Sequence, residues 1–418
     1  MEVLPDTVKM FALRQNGEAF NPIGSAMVFQ DTPARSASAP TIGDWNGDGT
    51  TDIALVTRMG PAEELQVPAT LWLLSTRDEN LDGFFDVTGV YEFAGEEHVL
   101  LAPPSIIGGS LCFRVGSPEA DTLYVIGDQV RRHVIPRAYW PDFLWYNPQR
   151  WRVMAWSSTQ ALLSGDPQPL LIDLGSGTIS ELHVSSRGEM QSNPSGVQMT
   201  GVTGDFDGDG RVEAMFSGQR DLMFASAMED ANRLPFDFIP APAGSLQPQQ
   251  HAGAADVDGD GRLDVLLSSG EALRAMNFAL STVDNFPAAH PVRFALSAAM
   301  EPQGAHAVFG VGNERVWQFI TGAKQADGFP IPIPYRADVS LLRSVAGRLA
   351  IAAASPDGKL LLFETGTMVT DEQLIWRSRD GDEKNNFAVL QPFSGSDPIA
   401  DFFPGERCYN WPNPAYDA

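Results

Sequence analysis

The chain has 418 residues, 43% of them hydrophobic, enough to bury a sizeable core and too many for an intrinsically disordered polypeptide. Its 28 Lys and Arg against 53 Asp and Glu give a net charge of −25, a field that repels phosphate backbones and anionic lipids and argues against a nucleic-acid partner. With 39 Gly and 31 Pro the sequence is punctuated too often for long helices, and no apolar run approaches membrane-spanning length, so membrane insertion is not expected.

In chain order, residues 1–6 lack the basic and apolar regions of a secretory signal, and the chain is expected to be a piece of a longer exported protein. Residues 8–13 and 16–20 read as a strand, a turn and a second strand, the outer half of a repeat whose inner half is absent. Residues 40–43 then lead into an acidic loop and the apolar run 53–56 leaves it, so the loop joins two strands as a hairpin. Asp44, Asn46 and Asp48 stand on alternate residues of that loop, Gly49 follows, Thr50 holds position 7 and Asp52 position 9. A second loop begins 34 residues later, behind the strand-like run 69–74, with Asp78, Asn80, Asp82, Gly83, Phe84 and Asp86 in the same places.

Two degenerate strand pairs come next, 110–115 with 122–126 and 152–156 with 170–174. Between them lies the densest aromatic run, containing Trp140, Trp145, Tyr146 and, just beyond, Trp151. It is either packing between sheets or a surface on which sugar rings stack. Two further acidic loops follow: Asp205, Asp207, Asp209, Gly210, Arg211, Glu213, and Asp256, Asp258, Asp260, Gly261, Arg262, Asp264.

Asp205 and Asp256 are 51 residues apart, and Asp44 precedes Asp205 by 161, close to three times that distance. A structural repeat of about 50 residues accounts for three loops and leaves the Asp78 loop out of phase, on an outer hairpin. The period continues without acids: runs 306–310, 316–319 and 328–330 repeat the order strand, turn, strand and Phe-Pro, and 349–353 with 359–363 supply another unit. Four short strands per unit predict an all-β fold, a β-propeller of about seven four-stranded blades over residues 1–378, or eight if the N-terminal hairpin belongs to a further blade. A β-helix has shorter coils, and two β-sandwiches would not keep one period. From 379 the chain turns polar, and 379–418 reads as a linker and the start of a further module.

Alternating acids on a tightly curled backbone converge hard oxygen ligands, position 7 adds a carbonyl whatever its side chain, and the Gly at position 6 permits the turn. That scheme suits Ca²⁺, three to four ions in all; Zn²⁺ and Cu²⁺ would draw on His or Cys, which the loops lack. An EF-hand would need a Glu at position 12, where Leu55, Gly89, Phe216 and Leu267 stand instead.

These in-phase loops, with small or apolar lead-ins and buried strands following, resemble FG-GAP/VCBS repeats, the calcium-binding hairpins of integrin-α-type propellers and of many secreted bacterial proteins. The resemblance implies an extracellular or cell-surface, monomeric binding, adhesion or scaffold domain of a longer chain, with structural calcium and a protein or glycan ligand on a propeller face. The run 409–414 resembles the opening of C-terminal sorting or β-sandwich modules in secreted proteins of the Bacteroidetes type. The alternative is a carbohydrate-active enzyme, like the polysaccharide lyases built on such propellers, or a lectin. No GxSxG, HExxH, P-loop or dinucleotide fingerprint nominates a catalytic residue. His98, His133, His183, His251, His290 and His306 are scattered, with His251 read as a surface residue of a sheet rather than a base. Cys112 and Cys408 show neither metal-ligand nor redox spacing, and a bridge between them is left open.

Overall fold

The computed structural model describes residues 10–16, 19–26, 36–58, 68–76, 86–93, 98–99, 103–116, 120–136, 152–163, 170–181, 200–208, 210–217, 221–226, 239–240, 251–268, 272–279, 281–300, 304–320, 324–355, 360–382, 384–386 and 388–390. Among them the fold is all-β: an N-terminal hairpin of Met10–Asn16 with Ala19–Ala26, then seven antiparallel sheets of three to five strands. The only helix among the described residues is a 3-10 turn at Asp371–Gln373, and none is long and apolar enough to cross a membrane.

The described chain falls into two compact units. The first holds residues up to Val153 together with Glu383–Asn385. Its sheet I is built from Ser36–Ala37, Thr41–Gly43, Asp52–Arg58, Ala69–Ser75 and Asp86–Phe93. Its sheet II is built from His98–Val99, Ser105–Ile107, Ser110–Gly116, Ala120–Ile126 and Val130–Pro136. Leu71, Leu73, Phe93, Phe113 and Tyr124 share the core of this unit, the three aromatic rings lying 5.5 to 6.5 Å apart.

The second unit holds Met154–Asp382 and residues from Asn386. Sheet III, which opens it, comprises Val153–Ala155, Gln160–Leu163, Leu170–Asp173 and Ile179–Glu181, and sheet IV comprises Thr200–Gly204, Glu213–Ser217, Asp221–Ser226 and Ile239–Pro240. Sheet V is Ala252–Ala255, Asp264–Ser268 and Leu273–Met276; sheet VI is Phe294–Ala299, His306–Val311 and Arg315–Ile320 with two short edge strands, Lys324–Gln325 and Ile331–Pro332. Sheet VII is Asp338–Arg343, Arg348–Ala354 and Leu360–Met368. One cluster of buried side chains, running from Met154 to Val389, joins these sheets.

In sheets I, II, VI and VII the last strands are the least buried. Second strands such as Asp52–Arg58 and His306–Val311 are buried along their whole length, whereas Asp86–Phe93 and Leu360–Met368 alternate between half-buried and exposed residues. A strand covered on both faces must be a continuous apolar run, and one covered on a single face alternates.

Neighbouring first strands are tied by a repeated side-chain bond. The hydroxyl of Thr41 donates to the carbonyl of Pro104, and that of Ser105 to Val153 at 2.7 Å, both in the first unit. In the second, Thr203 donates to Ala155 and Ser297 to Ala254, each at 2.6 Å.

Residues 376–389, on both sides of the boundary expected at 378, also meet the first strands. In the second unit the Arg377 carbonyl accepts from the Leu341 amide at 2.8 Å, Trp376 and Ser297 exchange backbone bonds of 3.0 and 3.1 Å, and the Asn386 carbonyl accepts from Ala155 at 2.9 Å. In the first, the Lys384 carbonyl accepts from the Ile106 amide at 3.0 Å, and the Asn385 side chain donates through Nδ2 to the Pro40 carbonyl at 3.1 Å. These short first strands thus find backbone partners that a flat sheet edge would leave to water.

Candidate metal sites

Three acidic loops fall within the described residues, each closing the hairpin between the first long pairing of its sheet. The register is the same every time: the residue before the loop pairs with the residue at position 9, Gly43 with Asp52, Gly204 with Glu213 and Ala255 with Asp264. Eight residues of turn must therefore curl inside one hairpin, and the position-1 aspartate organises the curl. Asp205 Oδ1 and Oδ2 accept from the amides of Gly208 and Gly210 at 2.8 and 2.9 Å. Asp256 does the same with Gly259 and Gly261 at 2.7 and 2.9 Å, and Asp44 with Gly47 and Gly49 at 2.7 and 2.9 Å.

Both glycines of each loop have φ between 75° and 84°, the left-handed region that costs an ordinary residue about 1–2 kcal/mol. The Gly at position 6 is the one that ligand spacing predicts. The Gly at position 4 is equally required, and the signal for it was present as a fourth shared letter in the three in-phase loops.

Position 2 is a buried apolar anchor, Trp45, Phe206 or Val257, so the acids on either side of it point away from the core. Further turns repeat along the loop: Asp48 accepts from the Thr50 amide at 2.7 Å and Asp260 from the Arg262 amide at 2.9 Å. The position-7 amide is thus bonded within the loop, and the side chain of Arg262 lies along Gly208 of the preceding loop.

Carboxylate oxygens of Asp205, Asp207 and Glu213 lie within 4.8 Å of one another, as do those of Asp256, Asp258 and Asp260. At position 9, Glu213 accepts from the Phe206 amide at 2.8 Å and Asp264 from the Val257 amide at 2.9 Å. Asp52 differs. It is 1% exposed, and neither of its carboxylate oxygens has a hydrogen-bond partner among the described residues. A buried carboxylate without a partner is strongly disfavoured in its charged form. Burial, then Asp48 and Asp44, push its carboxyl up to about 7. Burial does the same to Asp264, also to about 7, with Asp258, Asp256 and Asp260 adding to it; the Asp256 carboxyl is raised as well, chiefly by burial. The two carboxylate clusters, of the Asp205 and Asp256 loops, offer all-oxygen donor sets that could hold a metal ion, and Asp52 adds a buried acid to the Asp44 loop.

Of the other expected ligands, Asp86 is described at the start of its strand, while Asp78, Asn80, Asp82, Phe84 and Asp209 lie outside the described residues. The aromatic positions Trp140, Trp145, Tyr146 and Trp151 lie outside them too. Trp156 is described, and it is buried in the core of the second unit. Cys112 is a free thiol inside its strand, and Cys408 lies outside the described residues.

Two of the described histidines contact neighbouring side chains. His290 stacks on Trp317 with ring centroids 5.2 Å apart, and His251 Nε2 accepts from Arg379 Nε at 3.1 Å. His306 was not singled out by any motif, yet its Nδ1 accepts from the backbone amide of Asp256 at 2.9 Å. The period held the signal, since His306 follows Asp256 by 50 residues, one repeat later.

Neither protein-family profiles nor curated proteins match the sequence. Solved structures align with it at low identity. They include the exotype rhamnogalacturonan lyase YesX, at 15% identity over 84% of this chain and 67% of that one, with a TM-score of 0.46. A Bacillus licheniformis rhamnogalacturonan lyase matches at 14% identity over 80% of this chain and 72% of that one, TM-score 0.46. The dihydro-heme d1 dehydrogenase NirN matches at 11% over 87% and 72%, TM-score 0.48.

Proposed function

We propose that this chain is a calcium-stabilised β-propeller of the FG-GAP/VCBS type, an extracellular module that presents a ligand-binding face while its ions hold the acidic hairpins rigid. In this reading the seven sheets are its blades. The observations that carry the reading are Asp52, whose buried carboxylate has no hydrogen-bond partner among the described residues, and the carboxylate clusters of the Asp205 and Asp256 loops. Calcium supplies the missing counter-charge and is the ion that best accepts six to eight oxygens of mixed carboxylate and carbonyl type. Its role is structural. With free calcium about ten-fold above Kd, each ion adds about 1.4 kcal/mol, enough to stiffen a hairpin and too little to drive a switch.

The test is thermal melting of the purified chain in excess chelator and in millimolar calcium. The expected result is a higher Tm with calcium and the same far-ultraviolet spectrum below the transition; superimposable melting curves would overturn the reading. The partner is a protein or a glycan bound on a propeller face, where loops vary freely over a buried scaffold. A glycan array run beside an assay for unsaturated sugar products separates a binder from a lyase.

A further inference from the structure

The Asp256 loop is held from outside by the neighbouring sheet. His306, the first residue of its strand in sheet VI, is 3% exposed and bonds the Asp256 peptide on both sides. Its Nδ1 accepts from the Asp256 amide at 2.9 Å, and its own amide donates to the Asp256 carbonyl at 2.6 Å. An Nδ1 that accepts fixes the neutral tautomer with its proton on Nε2. The same corner touches the loop a second time: a Cβ on Gly259 would stand 3.1 Å from the Ala305 amide nitrogen. Asp256 therefore has its backbone pinned by sheet VI while its side chain organises the turn through Gly259 and Gly261.

We propose that His306 is a positioning residue for the ion of the Asp256 loop, and that through this contact the ion clamps sheet V to sheet VI. The proposal rests on the calcium reading above. An acceptor that orients the residue carrying the first ligand acts as an outer-shell partner, and loss of such partners typically costs about 10–100-fold in metal affinity. The backbone bond from the His306 amide survives any substitution by an ordinary residue, so the side-chain acceptor can be tested alone.

Asn and Leu make the decisive pair. Asn Oδ1 is as many bonds from Cα as His Nδ1 and can accept the same amide, whereas Leu has nearly the same shape and no acceptor. Calcium is titrated calorimetrically into the full chain as wild type, His306→Asn, His306→Leu and the double variant Asp256→Asn/Asp258→Asn. The double variant should lose one binding event, His306→Leu should weaken that event about ten-fold or more, and His306→Asn should stay within about three-fold of wild type. In hydrogen exchange, calcium should protect the strand His306–Val311 in wild type and not in the double variant.

If the double variant loses no event, the calcium reading fails at this loop and takes the proposal with it. If the event is lost but His306→Leu keeps wild-type affinity, or Asn and Leu weaken it equally, only the positioning role is overturned. Should His306→Leu fail to fold, a ten-fold loss in His306→Asn overturns the role and wild-type affinity supports it.

Discussion

Asp52 is the residue whose environment is hardest to explain without a cation. Its two oxygens are buried and have no hydrogen-bond partner among the described residues, and burial raises its carboxyl from the ordinary 3.8 to about 7. A carboxyl with a folded-state pKa above its unfolded value stabilises the fold at low pH, and that contribution is lost as pH rises through the folded value. In chelator, wild type should therefore melt lower at pH 8 than at pH 5, relative to Asp52→Asn, which carries no charge to bury. In chelator at pH 8, Asp52→Asn should melt above wild type by about 2–4 °C, the effect of about 1 kcal/mol in a chain of a few hundred residues. Millimolar calcium should reverse that order, because the variant has lost a ligand. Paired melting scans at the two pH values check both signs; a variant that melts below wild type in every condition would show that Asp52 is paired within the protein.

At the scale of the hairpin, each acidic loop is a fixed register, two left-handed glycines and an apolar anchor, with the acids left over on the outer side. Gly259 and Gly261 separate backbone strain from packing. Both have positive φ, 79° and 84°, but only a Cβ on Gly259 meets neighbouring backbone, while nothing lies within 4 Å of one on Gly261. Each Ala substitution should cost about 1–2 kcal/mol from strain alone, and Gly259→Ala should cost measurably more than Gly261→Ala in urea denaturation. Equal costs would mean that the Ala305 contact is slack.

Much of this hairpin was legible in the sequence, because ligand spacing fixes positions 1, 3, 5, 6 and 9 and the strand leaving the loop must be apolar. The anchor at position 2 and the glycine at position 4 carry no ligand and so gave no chemical signal. The first strands were the hardest elements to read. Ala252–Ala255 is Ala-Gly-Ala-Ala, too small and uniform to show alternation, because it is buried among neighbouring backbones. The polar run after 378 shows no apolar period for a related reason: it is the backbone of Asn386 that bonds to the first strand Val153–Ala155.

Within the second unit, residues 376–382 act as a strap across sheets VI and VII, and Trp376 is its anchor, 0% exposed in the shared core. Trp376→Ala should cost about 3–5 kcal/mol, the usual loss for truncating a large buried aromatic, and chemical denaturation measures it. A cost below about 1 kcal/mol would mean that the strap rests on the sheets without holding them. The bonds of Thr203 to Ala155 and of Ser297 to Ala254 tie first strands together without any ion, so removing calcium should loosen the acidic hairpins before the core.

Counting ions tests the central claim most directly. Native mass spectrometry of the full chain in millimolar calcium should show three or four bound ions. Replacing the acids of the Asp44, Asp205 or Asp256 loop by Asn should remove one ion each. A chain that carries no calcium under these conditions, or that keeps its full complement after a loop is neutralised, would contradict it.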